Sequence, residues 1–181
     1  MGGQGEARSV RDALKRALAA AVGGAVLCTG LSGASAGAER ETPSGLPVPR
    51  YISLKFDKVD ARAGPGSDHK ILWVYRAKGL PLQVVAETFD WRRVCDPEGH
   101  VVWVHKRTTE GRRTVMNTTA KPMPLLVRPK AGAGAAGYLN PRALATLDDC
   151  QKGWCKVRVQ GVTGWTPEGQ LWGTSPAVQC H

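Results

Sequence analysis

Cysteine and histidine are the residues of this chain whose types and spacing are suited to bond formation or metal binding. Four cysteines lie after residue 36, at Cys95, Cys150, Cys155 and Cys180. An even number is consistent with disulfide bonding in an oxidising compartment. If two antiparallel strands flank Gly153, the sulfurs of Cys150 and Cys155 face each other across the mouth of a hairpin.

Zinc binding is the alternative use of these sulfurs. Cys95 and His100 are separated by four residues, as are Cys150 and Cys155, and this spacing occurs among zinc ligands. The two pairs lie in separate segments that need not approach each other. In an oxidising compartment, disulfides are also favoured over the free thiols that zinc requires. We therefore expect no metal and no cofactor.

The histidines and carboxylates show no arrangement typical of catalysis. A nucleophile needs an adjacent base and a group that orients the base. The four histidines lie in turns, at a strand end or at the C-terminus, namely His69, His100, His105 and His181. Asp148 and Asp149 are adjacent, as in a solvated turn, and Gly64-Pro65-Gly66 precedes no predicted helix that would hold a phosphate. We expect a protein that is not an enzyme.

The elements that carry these residues are short and alternate in hydrophobicity. Val59, Ala61 and Ala63 alternate with charged residues, which predicts a strand with one apolar face. Gly64-Pro65-Gly66 ends this strand because proline lacks a backbone donor and glycine tolerates positive φ. Asp96-Pro97-Glu98-Gly99 lies between two later apolar segments and predicts a hairpin. Helical periodicity is nearly absent after residue 36, so the predicted fold class is all-β.

The order of these motifs resembles that of the bacterial SH3-like (SH3b) domains of exported envelope proteins. In that family the first strand has the pattern Val-x-Val-Arg-x-Gly-Pro, and later strands contain Trp-x-x-Val and Gly-x-x-Gly-Trp-Val. Ala61 replaces the usual valine or leucine. The matching positions are Val59, Arg62, Gly64, Pro65, Trp91, Val94, Trp103 and Val104. The resemblance implies a small β-barrel.

A second unit repeats this plan. Three residue pairs align at offsets of 66, 63 and 62 residues, namely Arg62 with Arg128, Trp91 with Trp154, and Trp103 with Trp165. Such small drift in the offset indicates an internal repeat. We predict a signal peptide (1–36), an exposed proline-spaced linker (37–50), a first SH3-like domain (51–110) and a divergent second one (111–175). We also expect Trp103 and Trp165 in the domain cores, and a loop over the Gly/Ala-rich residues 132–137.

The N-terminal residues have the pattern of an export signal. A basic segment ends at Arg16, an apolar run follows from Ala17 to Leu31, and Ala34-Ser35-Ala36 supplies the small residues that a signal peptidase recognises. Cleavage after residue 36 is expected, with residue 38 as the second choice. Retention as an anchor and lipidation of Cys28 are the alternatives. We expect localisation to the periplasm or cell envelope, without stable membrane insertion after cleavage.

The resemblance also bears on the cysteines. Similar sequences often contain Cys-x-x-Gly-Trp-Cys, which occurs here from Cys150 to Cys155. The resemblance thus implies a structural disulfide between Cys150 and Cys155. Cys95 and Cys180 are then the remaining candidate pair.

Binding is the function that remains. The formal net charge of +10 at pH 7 favours anionic partners, although the export signal argues against nucleic acid. The resemblance implies peptidoglycan, through its peptide stems, or an envelope protein as the ligand. A scaffolding protein that does not recognise the wall is the alternative. Small β-barrels bind extended peptides in aromatic grooves, and the candidate contacts are Tyr51, Trp91, Arg92 and Arg93.

Overall fold

The computed structural model of the chain describes residues 42–180. The predicted signal peptide, its cleavage sites and the first residues of the linker lie outside the described residues. In the described part the regular elements are β-strands and two short 3-10 helices, Lys106–Thr108 and Glu168–Gln170. The predicted all-β fold is confirmed. Within residues 42–180 there is no helix long and apolar enough to cross a membrane.

The strands of the first half form one antiparallel sheet with the neighbour order β3-β2-β6-β5-β4-β1-β7. Their bounds are β1 Arg50–Leu54, β2 Val59–Arg62, β3 Ile71–Tyr75, β4 Pro81–Glu87, β5 Trp91–Cys95, β6 Val101–His105 and β7 Thr109–Glu110. β5 and β6 form the hairpin that Asp96-Pro97-Glu98-Gly99 predicts. We call this half of the described chain the first repeat.

The second half forms a separate antiparallel sheet with the order β10-β9-β13-β12-β11-β8-β14. Its strands are β8 Thr114–Asn117, β9 Met123–Leu126, β10 Ala135–Leu139, β11 Leu144–Gln151, β12 Trp154–Val159, β13 Val162–Pro167 and β14 Leu171–Trp172. Adding seven to each strand number of the first sheet gives the second order. The prediction of two tandem β units is therefore confirmed, and we call this half the second repeat.

Each repeat has its own apolar core, built from alternate residues of its strands. In β2, Val59 and Ala61 are buried while Asp60 and Arg62 are half-exposed, as the sequence alternation predicts. The first core consists of Ile52, Leu54, Val59, Ala61, Tyr75, Leu82, Val84, Val94, Val102 and Val104. The second consists of Val115, Met123, Leu125, Leu139, Ala145, Cys155, Val157 and Leu171.

The C-terminal tail after β14 returns to the first repeat. The Gln83 side chain donates to the Ala177 carbonyl at 2.8 Å and accepts from the Gln179 amide at 2.9 Å. Cys180 is disulfide-bonded to Cys95 across 85 residues of sequence. A third apolar cluster forms around this bond and includes Met116 and Trp172 of the second repeat. The tail thus connects the second repeat back to the sheet of the first.

Two stretches differ from the sequence expectation. Residues 135–137 of the predicted Gly/Ala-rich loop belong to β10, where Gly137 lies so close to Val162 that an added Cβ would be 3.0 Å from its side chain. The part of the linker within the described residues is also held against the barrel. The Ser44 amide donates to Glu87 at 3.0 Å, and Val48 packs against the first core.

Candidate binding groove

The strands β2, β6 and β5 of the first repeat direct alternate side chains away from the core. On β6, Val102 and Val104 are 1% and 0% exposed, whereas Trp103 between them is half-buried. Trp103 is paired with Arg62 on β2 and with Arg93 on β5. Paired residues share one face of a sheet, so the Trp103 indole has an arginine on each side. We call this surface the outer face, which comprises Asp60, Arg62, Trp91, Arg93, Trp103 and His105.

The placement of Trp103 and Trp165 in the domain cores is therefore wrong. Trp165 is half-buried on β13, between Gly164 and Thr166, which are both buried. The alternation puts Trp103 on the outer face of the first repeat and Trp165 on the equivalent face of the second, which we call the outer face of that repeat. The smaller residues on either side of each indole are the buried ones, Val102 and Val104 in the first repeat and Gly164 and Thr166 in the second.

A groove of about 370 Å³ opens at one end of the outer face. It is lined by Lys58, Val59, Asp60, Arg62, Trp91, His105 and Thr108. The rings of Trp91 and His105 meet edge to face, with centroids 5.1 Å apart and planes at 75°, because the two residues are paired across β5 and β6. The groove therefore combines an aromatic wall with two cationic side chains, a carboxylate and an imidazole.

His105 has a defined role at the end of β6. Its Nδ1 accepts a hydrogen bond from the Arg107 amide at 3.2 Å and so caps the 3-10 helix Lys106–Thr108. An Nδ1 that accepts leaves the proton of the neutral ring on Nε2. His105 can therefore offer Nε2–H as a donor to a ligand carbonyl.

Arg62 lines the groove and also stabilises the turn that follows β2. Its guanidinium donates to the carbonyls of Ser67 and His69 at 2.7 and 2.8 Å and to Asp60 at 3.2 Å. Arg62 is therefore paired within the protein. The turn also packs the His69 ring against Gly64, where any Cβ would approach the ring to 2.5 Å. The exposed Lys58 is open to a ligand, and Asp60 keeps a side chain that is 37% exposed although it already accepts from Arg62.

The structure separates the four residues that the sequence proposes as ligand contacts. Trp91 lines the groove and Arg93 is exposed on the outer face. Arg92 points to the opposite side, where its guanidinium bonds Thr109 and lies 3.8 Å from Glu87, and burial lowers its pKa. Whether these residues contact a ligand stays a prediction.

Tyr51 lies where the two repeats meet, away from the groove. Its ring packs edge to face on Trp172 at 5.3 Å, and the Arg113 guanidinium lies 5.4 Å from the ring centroid. Burial raises the pKa of Tyr51 to about 12, although the charge of Arg113 opposes this shift. One groove beside both Tyr51 and Trp91 is therefore not formed.

The second repeat has a groove at the equivalent position, with a volume of about 430 Å³. Both grooves lie beside the start of the equivalent strand, β2 or β9, and the end of the equivalent 3-10 helix. The second is lined by Thr119, Ala120, Lys121, Pro122, Met123, Pro124 and Gln170. Prolines replace Lys58 and Asp60 here, so the lining of the second groove keeps one cation, Lys121, and has no carboxylate or imidazole.

The register also corrects the alignment of Arg62 with Arg128. Trp165 is paired with Leu126, as Trp103 is with Arg62. The structural equivalent of Arg62 is thus Leu126, at an offset of 126 − 62 = 64 residues. Pro65 and Pro129 have the same offset, 129 − 65 = 64, and Arg128 is an exposed residue after the strand.

All four cysteines of residues 42–180 are in disulfides, Cys95 with Cys180 and Cys150 with Cys155. Cys150 and Cys155 are directly paired across β11 and β12, with Cα atoms 4.0 Å apart. The cysteine sulfurs that the zinc alternative requires as ligands are bonded to each other in these disulfides.

Lys58, Asp60 and His105 are groove residues that sequence reasoning did not identify. Asp60 and His105 sit on strands next to recognised motif residues, and their outward position follows from the alternation. Their proximity to Trp91 depends on the pairing of β5 with β6 and β2, which no local pattern specifies.

Comparison with known proteins places this geometry in a family. The model of the bacterial SH3 domain matches residues 55–111 and 119–173. The chain is similar to the solved structures of NlpC2 and NlpC1 from Trichomonas vaginalis, at 14% identity in both cases, with TM-scores of 0.31 and 0.30. Each comparison covers 68% of this chain and 48% or 45% of the other, so the chain spans about half the length of these relatives. No curated protein matches the chain. With two matched segments that together span more than half of its residues, the chain belongs to the bacterial SH3 domain family and carries two tandem copies of the domain.

Proposed function

We propose that the chain is an exported, non-catalytic module that binds the peptide stems of peptidoglycan in the groove of its first repeat. Bacterial SH3 domains are typically cell-wall binding modules, which supports the general class. The observation that carries the proposal is the combination of Trp91, His105, Asp60 and Lys58 along one open groove.

These side chains suit a short, charged, extended peptide. The Trp91 indole offers an apolar face for an aliphatic residue, and His105 Nε2–H offers a donor for a peptide carbonyl. Lys58 can pair with a carboxylate and Asp60 with an amine. A small groove buries little area, so we expect a Kd of roughly tens of micromolar, or about −6 kcal/mol.

The disulfides support the proposed location. Such bonds form and persist outside the reducing cytoplasm. One lies within the second repeat, and the other links the first repeat to the C-terminal tail. A wall ligand is found in the same compartment.

The test uses the chain from residue 37, titrated with a soluble stem peptide and followed by amide and indole NMR shifts. Trp91→Leu should weaken binding about tenfold or more, as expected for the loss of an aromatic anchor. Trp154→Leu is the matched control, because Trp154 occupies the equivalent position beside Pro167 of the second repeat. Equal losses in the two variants, or shifts confined to the second repeat, would contradict the assignment. No shift at all would favour the scaffolding alternative.

A further inference from the structure

We infer that the outer faces of the two repeats bind the sugar backbone of an anionic, N-acetylated glycan strand, beside the groove that takes the peptide. This inference rests on the proposed function and extends it from the stem to the carbohydrate part of the polymer.

The first observation is the pair of tryptophans on each outer face. Trp91 is paired with His105, and Trp103 lies two residues before His105 on β6. The two indoles are therefore diagonal neighbours, about 7–8 Å apart at the backbone. Sugar rings have apolar C–H faces that pack on indoles, and two adjacent indoles can contact consecutive sugars.

The second observation is that the second repeat has the same pattern, although its groove differs. Trp154 is paired with Pro167, and Trp165 lies two residues before Pro167 on β13. Trp165 is flanked by Lys156, as Trp103 is flanked by Arg93. Lys58 and Asp60 of the first groove are replaced by prolines in the second, whereas the tryptophan pair and the adjacent cation are present in both repeats.

The third observation is that these cations are available. Arg62 is already engaged by Asp60 and two turn carbonyls. By contrast, Arg93 is exposed, and within residues 42–180 neither Arg93 nor Lys156 takes part in a salt bridge. A guanidinium or ammonium beside an indole suits a sugar that carries a carboxylate. The chain from residue 37 has 21 Lys and Arg against 13 Asp and Glu, so its net charge of 21 − 13 = +8 also attracts an anion.

The two surfaces are continuous in the first repeat. Trp91 belongs both to the tryptophan pair and to the wall of the groove. A glycan on the outer face would therefore place a peptide branch at the entrance of the groove. This arrangement fits a partly substituted polymer, in which a sugar whose carboxyl is amidated by a peptide lies at the groove and a sugar whose carboxylate is free lies beside Arg93.

The test compares two peptide-free probes on the chain from residue 37. One is an oligosaccharide of alternating N-acetylglucosamine and N-acetylmuramic acid with free carboxylates, and the other is a neutral N-acetylglucosamine oligosaccharide of the same length. Tryptophan fluorescence should respond to the first probe, and the neutral probe should bind about tenfold more weakly. Arg93→Gln with Lys156→Gln should lower the affinity for the anionic probe about tenfold. Arg76→Gln removes an exposed arginine elsewhere and should leave it within about twofold.

Thermal melts confirm that the variants are folded, and the stem peptide is titrated in parallel. Equal affinity for the two probes, or an unchanged double variant, would overturn the inference. So would equally tight binding of single-stranded DNA, because the surface would then be a general polyanion site. If the stem peptide still binds in any of these cases, only the glycan inference fails. If neither ligand binds, the proposed function fails as well.

Discussion

Asp96 is the most densely bonded polar residue of the first hairpin. Its side chain is 2% exposed and accepts from the amides of Glu98 and His100 at 3.0 and 2.9 Å and from the Tyr75 hydroxyl at 2.8 Å. Burial raises the pKa of Tyr75, and the neighbouring Asp96 carboxylate raises it further. Asp96 therefore connects the hairpin turn to Tyr75, the core residue of the edge strand β3.

Asp96→Ala should destabilise the protein by about 2–4 kcal/mol, because it leaves buried donors unsatisfied. Chemical denaturation measures the change. Asp148→Ala is the control, since Asp148 pairs with an exposed Arg158 and such pairs contribute about 1 kcal/mol or less. Equal effects of the two substitutions would show that the Asp96 network is not important for stability.

Glu87 makes the stability of the first repeat depend on pH in the acidic range. Burial alone would raise its pKa, but hydrogen bonds from Ser44 and Arg50 outweigh burial and lower the pKa from 4.5 to about 2. A carboxyl whose pKa is lower in the folded state than in the unfolded state stabilises the protein at a pH above its unfolded-state pKa. This stabilisation is lost as the pH falls through the folded-state pKa.

We therefore expect stability to decline from about pH 4.5 towards pH 2, the interval between the two pKa values of Glu87. Glu87→Gln should reduce stability at neutral pH and flatten this decline in thermal melts. Asp148→Asn serves as the control for general acid effects. A decline of the same steepness in the Glu87 variant would contradict the prediction.

At the scale of the strand, alternation determines which substitutions affect stability. Val104 is 0% exposed, and its neighbour Trp103 lies on the outer face. Val104→Ala should cost up to about 2 kcal/mol through lost burial. Trp103→Leu should cost less in spite of the larger change in side chain. A larger decrease in melting temperature for Trp103→Leu than for Val104→Ala would show that the Trp103 indole is part of the core.

The strands can be predicted from alternation and turn residues. The groove cannot, because it depends on which strands pair and in which register. Local pattern alone identifies strand β2 and its end, through Val59, Ala61, Gly64 and Pro65. The position of Trp103 is the counterexample, since tryptophan is expected in the core of a small domain and only the buried valines beside it reveal the opposite. Similarly, the equivalence of Arg62 with Leu126 depends on register, which a search for matching residue types cannot determine.

At the scale of the whole molecule, the two disulfides should differ in their effect on stability. The chain-entropy model predicts a loss of about 4–5 kcal/mol on opening the Cys95–Cys180 bond, which spans 85 residues. It predicts about 2 kcal/mol for Cys150–Cys155, which spans five. Serine replacement of each pair, followed by denaturant titration, measures both. Equal losses would indicate that the C-terminal tail stays docked on Gln83 without its disulfide.

The docked tail also bears on affinity for a polymer. It limits the freedom of the second repeat relative to the first, so a strand bound to one outer face meets the other at a high effective concentration. Avidity can then exceed the affinity of a single face by about 10²–10⁴ without any new contact. Opening Cys95–Cys180 should lower the avidity for long strands while leaving the affinity for a short oligosaccharide unchanged. In this way a bond that lines neither groove would control how long the protein stays on an extended ligand.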